Sequence, residues 1–261
     1  MSNFDAFGTA VSRRGKPGSV SYPLLVAAND DAPLERLVES QSGLPLRGPI
    51  DEFVVSPAFS GWQGQAKRVL DVSAAAFGLL LLGPLLILVA LAVSLESRGP
   101  VIFSQMREGR DGLLFKALKF RTMRTDSCDD TGVRQTVMGD SRVTRVGKFL
   151  RRTSIDELPQ LFNVLRGDMS LVGPRPHVSR MLAGGVSYRD LVPYYDLRLK
   201  VSPGLTGWAQ ANGFRGPTTD GRNARMRIDH DMAYIQNFSI WLDIKIIFLT
   251  IQRELFGGTG H

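Results

Sequence analysis

VSAAAFGLLLLGPLLILVALAVSL, residues 72–95, runs for 24 positions without a charged side chain. As a helix it would be about 36 Å long, enough to cross a hydrocarbon core of about 30 Å. Gly83-Pro84 sits at its centre. Proline lacks a backbone donor and clashes with the turn before it, and the glycine adds freedom to bend. A break there leaves two arms of about 11 residues, each too short to span. Lys67 and Arg68 precede the run, and Arg98, Arg107 and Arg110 follow it. Positive charge at both ends favours keeping both on the cytoplasmic side. We therefore expect a re-entrant helix with its membrane break at Gly83 and Pro84. A kinked spanning helix and a buried helix of a soluble protein are the alternatives. The run starts some 70 residues into the chain, which argues against a cleaved signal peptide.

Composition narrows the partners. The chain has 261 residues and a formal charge of +7. Residues 1–66 carry −2 and the remaining 195 carry +9. A basic, membrane-attached body points to anionic partners such as lipid headgroups, phosphates or nucleotides. Cys128 is the only cysteine, so no disulfide forms within the chain. His177, His230 and His261 are scattered, and no Cys/His cluster suggests structural zinc.

Working outward from the apolar run, residues 1–61 read as a disordered tail, dispensable for chemistry. They are rich in Gly, Ser, Pro and Ala and hold no helical or strand period. After the run, Gly99-Pro100 is a stop signal. PVIFSQ (100–105), a turn REGRDG (107–112) and LLFKALKFRTM (113–123) form a candidate β-hairpin. Residues 125–142 are polar and read as a loop. Helical signals return at Val146–Leu150. Ser154 with Glu157 three residues on fits a capping box opening a helix DELPQLFNVLRG, closed by Gly167. The segment 225–255 reads as helical, with Ile235, Phe238, Leu242, Ile246 and Leu249 on one stripe. Asp243 and Lys245 argue against a second span.

Three stretches offer chemistry. Between Arg142 and Arg175, the adjacent carboxylates Asp156 and Glu157 lie among six arginines and a lysine. Cations can hold an anionic substrate while carboxylates hold Mg2+ or attack phosphorus. The plain alternative is a pair of solvated helix charges. FKALKFRTMR (115–124) puts Lys119 and Arg121 on one strand face, for phosphate binding or simply as an exposed positive edge. In VSPGLTGWAQANGFRG (201–216) the glycines allow close backbone approach. Trp208, Gln210, Asn212 and Arg215 offer stacking and hydrogen bonds there. Walker and dinucleotide spacings are absent.

The ordered set KRVLD (67–71), LFKALKFRTM (114–123), RRTSIDELPQLFNVLRGDMSLVGPRP (151–176), SPGLTGWAQANG (202–213) and YIQNFSIWLDIKII (234–247) resembles the bacterial sugar transferase family. These are monotopic polyprenyl-phosphate phosphoglycosyl transferases of exopolysaccharide, capsule and O-antigen assembly. The resemblance covers roughly residues 62–253. It implies an α+β fold: a mostly helical monotopic membrane protein with a re-entrant helix (62–98) and a small β-hairpin. A cytoplasmic catalytic domain (99–255) and a short tail (256–261) would follow. Family members break the helix at Ser-Pro, where this chain has Gly83-Pro84. The resemblance makes Asp156 the nucleophile and Glu157 its partner, positioning the metal or orienting Asp156, and makes both candidate Mg2+ ligands. Lys119, Arg151 and Arg175 match the phosphate-facing cations, and Arg215 matches a nucleotide-side arginine more loosely.

The resemblance further implies a UDP-sugar and polyprenyl (undecaprenyl) phosphate as substrates, with Mg2+ as cofactor. Membrane lipid is the surrounding partner, at the cytoplasmic face of the bacterial inner membrane. Oligomeric state is left open, and no nucleic-acid motif is present. A non-catalytic scaffold binding anionic lipid is the rival reading. It accounts for the charge and the apolar run but not for the Asp156–Arg175 constellation. Topology is directly testable with Cys128 replaced. A cysteine near residue 40 should resist an impermeant maleimide in intact cells and react after lysis; labelling in intact cells would establish a spanning helix.

Overall fold

The computed structural model describes residues 43–46, 53–125, 136, 139–216, 218 and 220–256. The apolar run forms the centre of α1 (Trp62–Glu96). Pro84 lies inside this helix and does not divide it into two elements, so the expected interruption at Gly83-Pro84 is absent from the secondary structure. Among the described residues, α1 is the one helix long and apolar enough to cross a membrane. Within it only Lys67, Asp71, Ala75, Val89 and Val93 are buried. Phe77, Leu80, Leu81, Ile87, Leu88, Leu91 and Leu95 stand exposed. An apolar surface of that extent needs a non-aqueous neighbour.

The first turns of α1 are tied into the body by charge. Lys67 Nζ donates to Asp243 Oδ2 at 2.6 Å and to the Val172 carbonyl at 2.9 Å. The Tyr234 hydroxyl donates to the other Asp243 oxygen at 2.8 Å. Asp71 accepts from the Leu171 amide at 3.0 Å. At the far end, the Arg121 guanidinium donates to the Ser97 carbonyl at 2.6 Å and to the Val93 carbonyl at 3.2 Å. It thereby satisfies carbonyls that the helix terminus leaves open.

The hairpin pairs β1 (Ile102–Glu108) with β2 (Leu114–Phe120), antiparallel, with Phe103 opposite Lys119. β1 runs on through Arg107 and Glu108, which the sequence placed in the turn. The turn itself is Gly109–Leu113. β2 ends at Phe120, so strand alternation does not reach Arg121; that side chain turns to α1, away from the partner Lys119 finds.

Thr144 caps α2 (Arg145–Arg152), accepting from the Gly147 amide at 2.9 Å. The expected capping box is not formed. Ser154 is left-handed, with φ +54°, and its side chain makes no cap bond. Glu157 points to other partners, and the chain makes a 3-10 turn over Ile155–Glu157 before α3 (Gln160–Arg166). Pro159 precedes that helix, where a missing N–H costs nothing. Gly167 does end α3, with φ +95°.

Beyond it, β3 (Ser170–Val172) pairs in parallel with β6 (Gly204–Thr206). Between them lie the two-residue strands β4 (Leu182–Ala183) and β5 (Val186–Ser187) and the short helix α4 (Tyr188–Leu191). A four-residue helix, α5 (Trp208–Ala211), follows β6.

The C-terminal segment is two helices, α6 (Gly221–Asn237) and α7 (Ile240–Phe256), broken at Phe238-Ser239. The predicted stripe survives the break. Ile235, Phe238, Leu242 and Ile246 are buried in the main core, and Leu249 packs on it. On α7, Trp241, Ile244, Phe248 and Ile251 are exposed, so this helix has apolar side chains on its outer side too.

The end of the expected tail belongs to the fold. Leu44, Leu46, Phe53, Val55, Ala58 and Phe59 pack on the main core. Phe59 stacks on Phe238 with ring centroids 3.9 Å apart, and the Ser56 amide donates to the Ile235 carbonyl at 3.2 Å. A boundary at residue 61 therefore cuts inside packed structure, while residues 1–42 and 47–52 lie outside the described residues. Composition missed it because the anchor is a few apolar side chains spaced without a period. A chain starting at residue 61 should melt below one starting at residue 53, and Phe59→Ala should cost about 2–4 kcal/mol. Thermal unfolding in detergent checks both, and equal melting would return Phe53–Ser60 to the tail.

Candidate active site

Five chain segments meet at one cavity of about 810 Å3. Lys119 comes from β2, Arg151 from the last turn of α2, and Asp156 and Glu157 from the 3-10 turn. Arg175 comes from the loop after β3, and Arg215 from the loop after α5. All six sequence-predicted site residues line the cavity. Ala74, Leu82 and Leu85 of α1 also line it, so the charged site opens along the apolar helix.

Buried polar groups hold the segments in register. Asn163, fully buried on α3, accepts from the Leu118 amide at 3.0 Å and donates to the Lys116 carbonyl at 2.8 Å. It serves β2 as a neighbouring strand would, and so fixes the strand that carries Lys119. The Arg175 backbone is fixed by Arg198, which donates to the Arg175 carbonyl at 2.5 Å and pairs with Asp231 at 2.8 Å. Neither Asn163 nor Arg198 stood out in the sequence, because a lone Asn in a helix and a lone Arg in a loop carry no local pattern.

The glycines at 204 and 207 do allow close approach, but to the chain itself. A Cβ at Gly204 would lie 2.1 Å from the Gly173 nitrogen, and one at Gly207 2.3 Å from the Gly173 carbonyl oxygen. Trp208 is a core residue, 2% exposed, and offers no stacking face to a ligand. Asn212 bonds back to the Trp208 carbonyl at 2.8 Å. From that stretch Gln210 and Arg215 reach the cavity, and Arg215 is ion-paired with Glu254.

The dyad divides sharply. Glu157 accepts from Lys119 Nζ at 2.6 Å and from both terminal nitrogens of Arg175, at 2.5 and 3.0 Å. Burial alone would push its carboxyl up, but Arg175 and Lys119 hold it well below the usual range. Asp156 is 7% exposed, and among the described residues no hydrogen bond or ion pair reaches its carboxylate. Burial pushes that carboxyl up to about 6. Lys119 opposes the rise, Glu157 adds to it, and Arg151 and Arg175 oppose it further. Arg151 itself donates to the Thr122 hydroxyl at 2.8 Å and has no carboxylate partner among the described residues. Among the described residues no group of three or more His, Cys, Asp or Glu side chains is placed to hold a metal ion.

A carboxylate left unpaired beside Lys119, Arg151 and Arg175 suits covalent chemistry at phosphorus. A family model for bacterial sugar transferases matches residues 62–257. The chain belongs to the bacterial sugar transferase family. It is similar to the undecaprenyl-phosphate glucose phosphotransferase of Komagataeibacter xylinus, at 54% identity over 223 residues, which are 84% of this chain and 42% of that protein. It is similar to the exopolysaccharide production protein PSS of Rhizobium leguminosarum bv. phaseoli, at 52% over 194 residues, 74% of this chain and 97% of that protein. It is also similar to the UDP-glucose:undecaprenyl-phosphate glucose-1-phosphate transferase of Escherichia coli strain K12, at 47% over 218 residues, 84% of this chain and 45% of that protein. This sugar transferase chain thus spans under half the length of the first and third relatives and nearly all of the second.

The charge arrangement has a measurable consequence in this chain. Glu157→Gln removes a negative neighbour of Asp156 and releases Lys119 and Arg175 from their pairing. Both changes favour ionised Asp156, so its titration should move below about 6. Carbon-13 NMR of aspartate-labelled protein reads the midpoint; a value at or above that of the parent would contradict the assignment of these neighbours.

Proposed function

We propose that this chain transfers a phosphosugar from a UDP-sugar to polyprenyl phosphate, giving polyprenyl-diphosphate-sugar and UMP as the first membrane step of exopolysaccharide or related glycan synthesis. The observation that carries this reading is the unpaired Asp156 carboxylate inside a cationic cavity that runs along the apolar helix. An Asp156 oxygen attacks the phosphorus nearest the sugar. The bond from that phosphorus to the bridging oxygen breaks, and UMP leaves with that oxygen. An oxygen of the lipid phosphate then attacks the same phosphorus and expels Asp156. Two polyanions repel each other, and a covalent carrier lets them use one site in turn.

Glu157 fixes Lys119 and Arg175 in this scheme, and Arg151 faces the substrate with its charge uncompensated. Mg2+ fits the donor set at Asp156, whose carboxylate is open. A divalent ion usually takes one or two carboxylates and completes its shell with substrate phosphate and water. Binding at Glu157 as well would displace Lys119 or Arg175. When bound, the ion offsets diphosphate charge.

The name of the Escherichia coli relative makes UDP-glucose the first donor to test, and that of the Komagataeibacter xylinus relative names glucose too. The exposed apolar sides of α1 and α7 support insertion from the cytoplasmic face of the inner membrane, where UDP-sugars are made. The re-entrant path of α1 is part of this proposal.

Purified protein with UDP-glucose and undecaprenyl phosphate should release UMP, and chelation should stop it until Mg2+ is added. Asp156→Asn should lower turnover by about 10³-fold or more. Intact mass with UDP-glucose alone should show a phosphosugar adduct that Asp156→Asn lacks. Adduct formation should rise with pH through about 6, as Asp156 ionises. Parental turnover in Asp156→Asn would end the covalent reading, and absence of UMP release with every UDP-sugar would favour the scaffold.

A further inference from the structure

Of the eight arginines and lysines that line the cavity, four are answered by carboxylates. Lys119 and Arg175 share Glu157, Arg215 pairs with Glu254, and Arg142 pairs with Asp140. Arg121 is spent on the end of α1 and Arg151 is assigned to phosphate above; Arg107 of β1 and Arg227 of α6 line the same cavity and have no carboxylate partner among the described residues. Arg107 donates to the Pro176 carbonyl at 2.9 Å and to the Gln105 amide oxygen at 2.5 Å. Arg227 donates to the Gly216 carbonyl at 3.0 Å. These neutral acceptors aim the guanidinium groups without cancelling their charge. The Nε of each is buried and has no hydrogen-bond partner.

A buried cation with no counter-charge and an open donor is costly unless an anion arrives to meet it. Two such groups border one cavity, beside the Pro174-Arg175-Pro176 loop that Arg107 holds. We propose that Arg107 and Arg227 grip the diphosphate of the nucleotide donor. The assignment rests on the donor reading above and adds to it two residues outside the motifs that suggested it. Two phosphates carry two negative charges, and a planar guanidinium fork matches phosphate oxygens two at a time. His177 supports the grouping. It is 1% exposed and held neutral by burial and by the positive charge of Arg198, Arg227, Arg107 and Arg175, which gather around it. Lys119 and Arg175 then form a frame whose charge Glu157 halves, and Arg107 and Arg227 add positive charge with no carboxylate set against it.

The test uses the full chain in detergent with Asp156→Asn, so that no turnover occurs, and measures binding of UDP and of uridine by calorimetry. Arg107→Gln and Arg227→Gln keep a donor for the neighbouring carbonyls and remove the charge. Each should weaken UDP binding by about tenfold or more and leave uridine binding unchanged. Arg110→Gln, an exposed cation of the hairpin turn, should change neither. Melting curves show whether each variant folds. For one that does not, the Lys variant keeps a cation without the fork, and the same loss of UDP affinity is expected. UDP affinity within twofold of the parent in folded variants at both positions overturns the assignment. If the protein with Arg107 and Arg227 intact releases UMP from UDP-glucose while those variants bind UDP normally, only the two arginines are reassigned. If it binds UDP no better than uridine, the donor reading falls and the assignment with it.

Discussion

Glu157 is bound by Lys119 and Arg175 at once, and the cavity is organised around that three-way contact. It joins a strand of the hairpin, a 3-10 turn and the loop after β3, three segments that make no continuous sheet with one another. A carboxylate taken out of water must be paired, and a buried cation must be answered. Glu157 satisfies both demands, and in doing so it leaves its neighbour Asp156 without a partner. The two adjacent carboxylates differ for this reason alone. One is spent on structure and held ionised; the other is buried, unpaired and pushed toward neutral pH.

The same logic attaches the membrane helix to the site. Lys67 and Asp71 near the start of α1 reach Asp243, the Val172 carbonyl and the Leu171 amide, so they hold the strand that leads into Arg175. Arg121 holds the other end of α1 and follows directly on the strand that carries Lys119. Glu96 at that end accepts from the Val146 amide at the start of α2, the helix that carries Arg151. The apolar helix is thus fastened at both ends to the elements that position Lys119, Arg151 and Arg175.

Much of this was legible in the chain itself. The uncharged run at 72–95 determined a long apolar helix, because no charge interrupts a length that fits a hydrocarbon layer. Alternating residues in FKALKF determined the second hairpin strand. Gly167 determined the end of α3, since a left-handed terminus suits glycine. The Asp156-Glu157 pair among arginines and the ordered motifs around it determined the family and the six residues that line the cavity. Local spacing sufficed for these because each depends on neighbours within a few positions.

Other features were decided only by tertiary structure. Ser154 and Glu157 have the spacing of a capping box, yet Glu157 goes to the partly buried cations Lys119 and Arg175, and the Ser154 amide donates to the Arg151 carbonyl instead. Pro84 stays within α1 although proline removes a helical bond. Phe59 belongs to the core because Phe238 offers a ring to stack on, a partner far away in the sequence. Arg107 reads as a flanking charge of the membrane segment and Arg227 as one arginine among several. Their lack of a carboxylate partner appears only once Glu157, Glu254 and Asp140 have been taken by other cations of the cavity. Pairing between distant residues is a property of the folded chain, and local sequence carries no record of which charge will be left over.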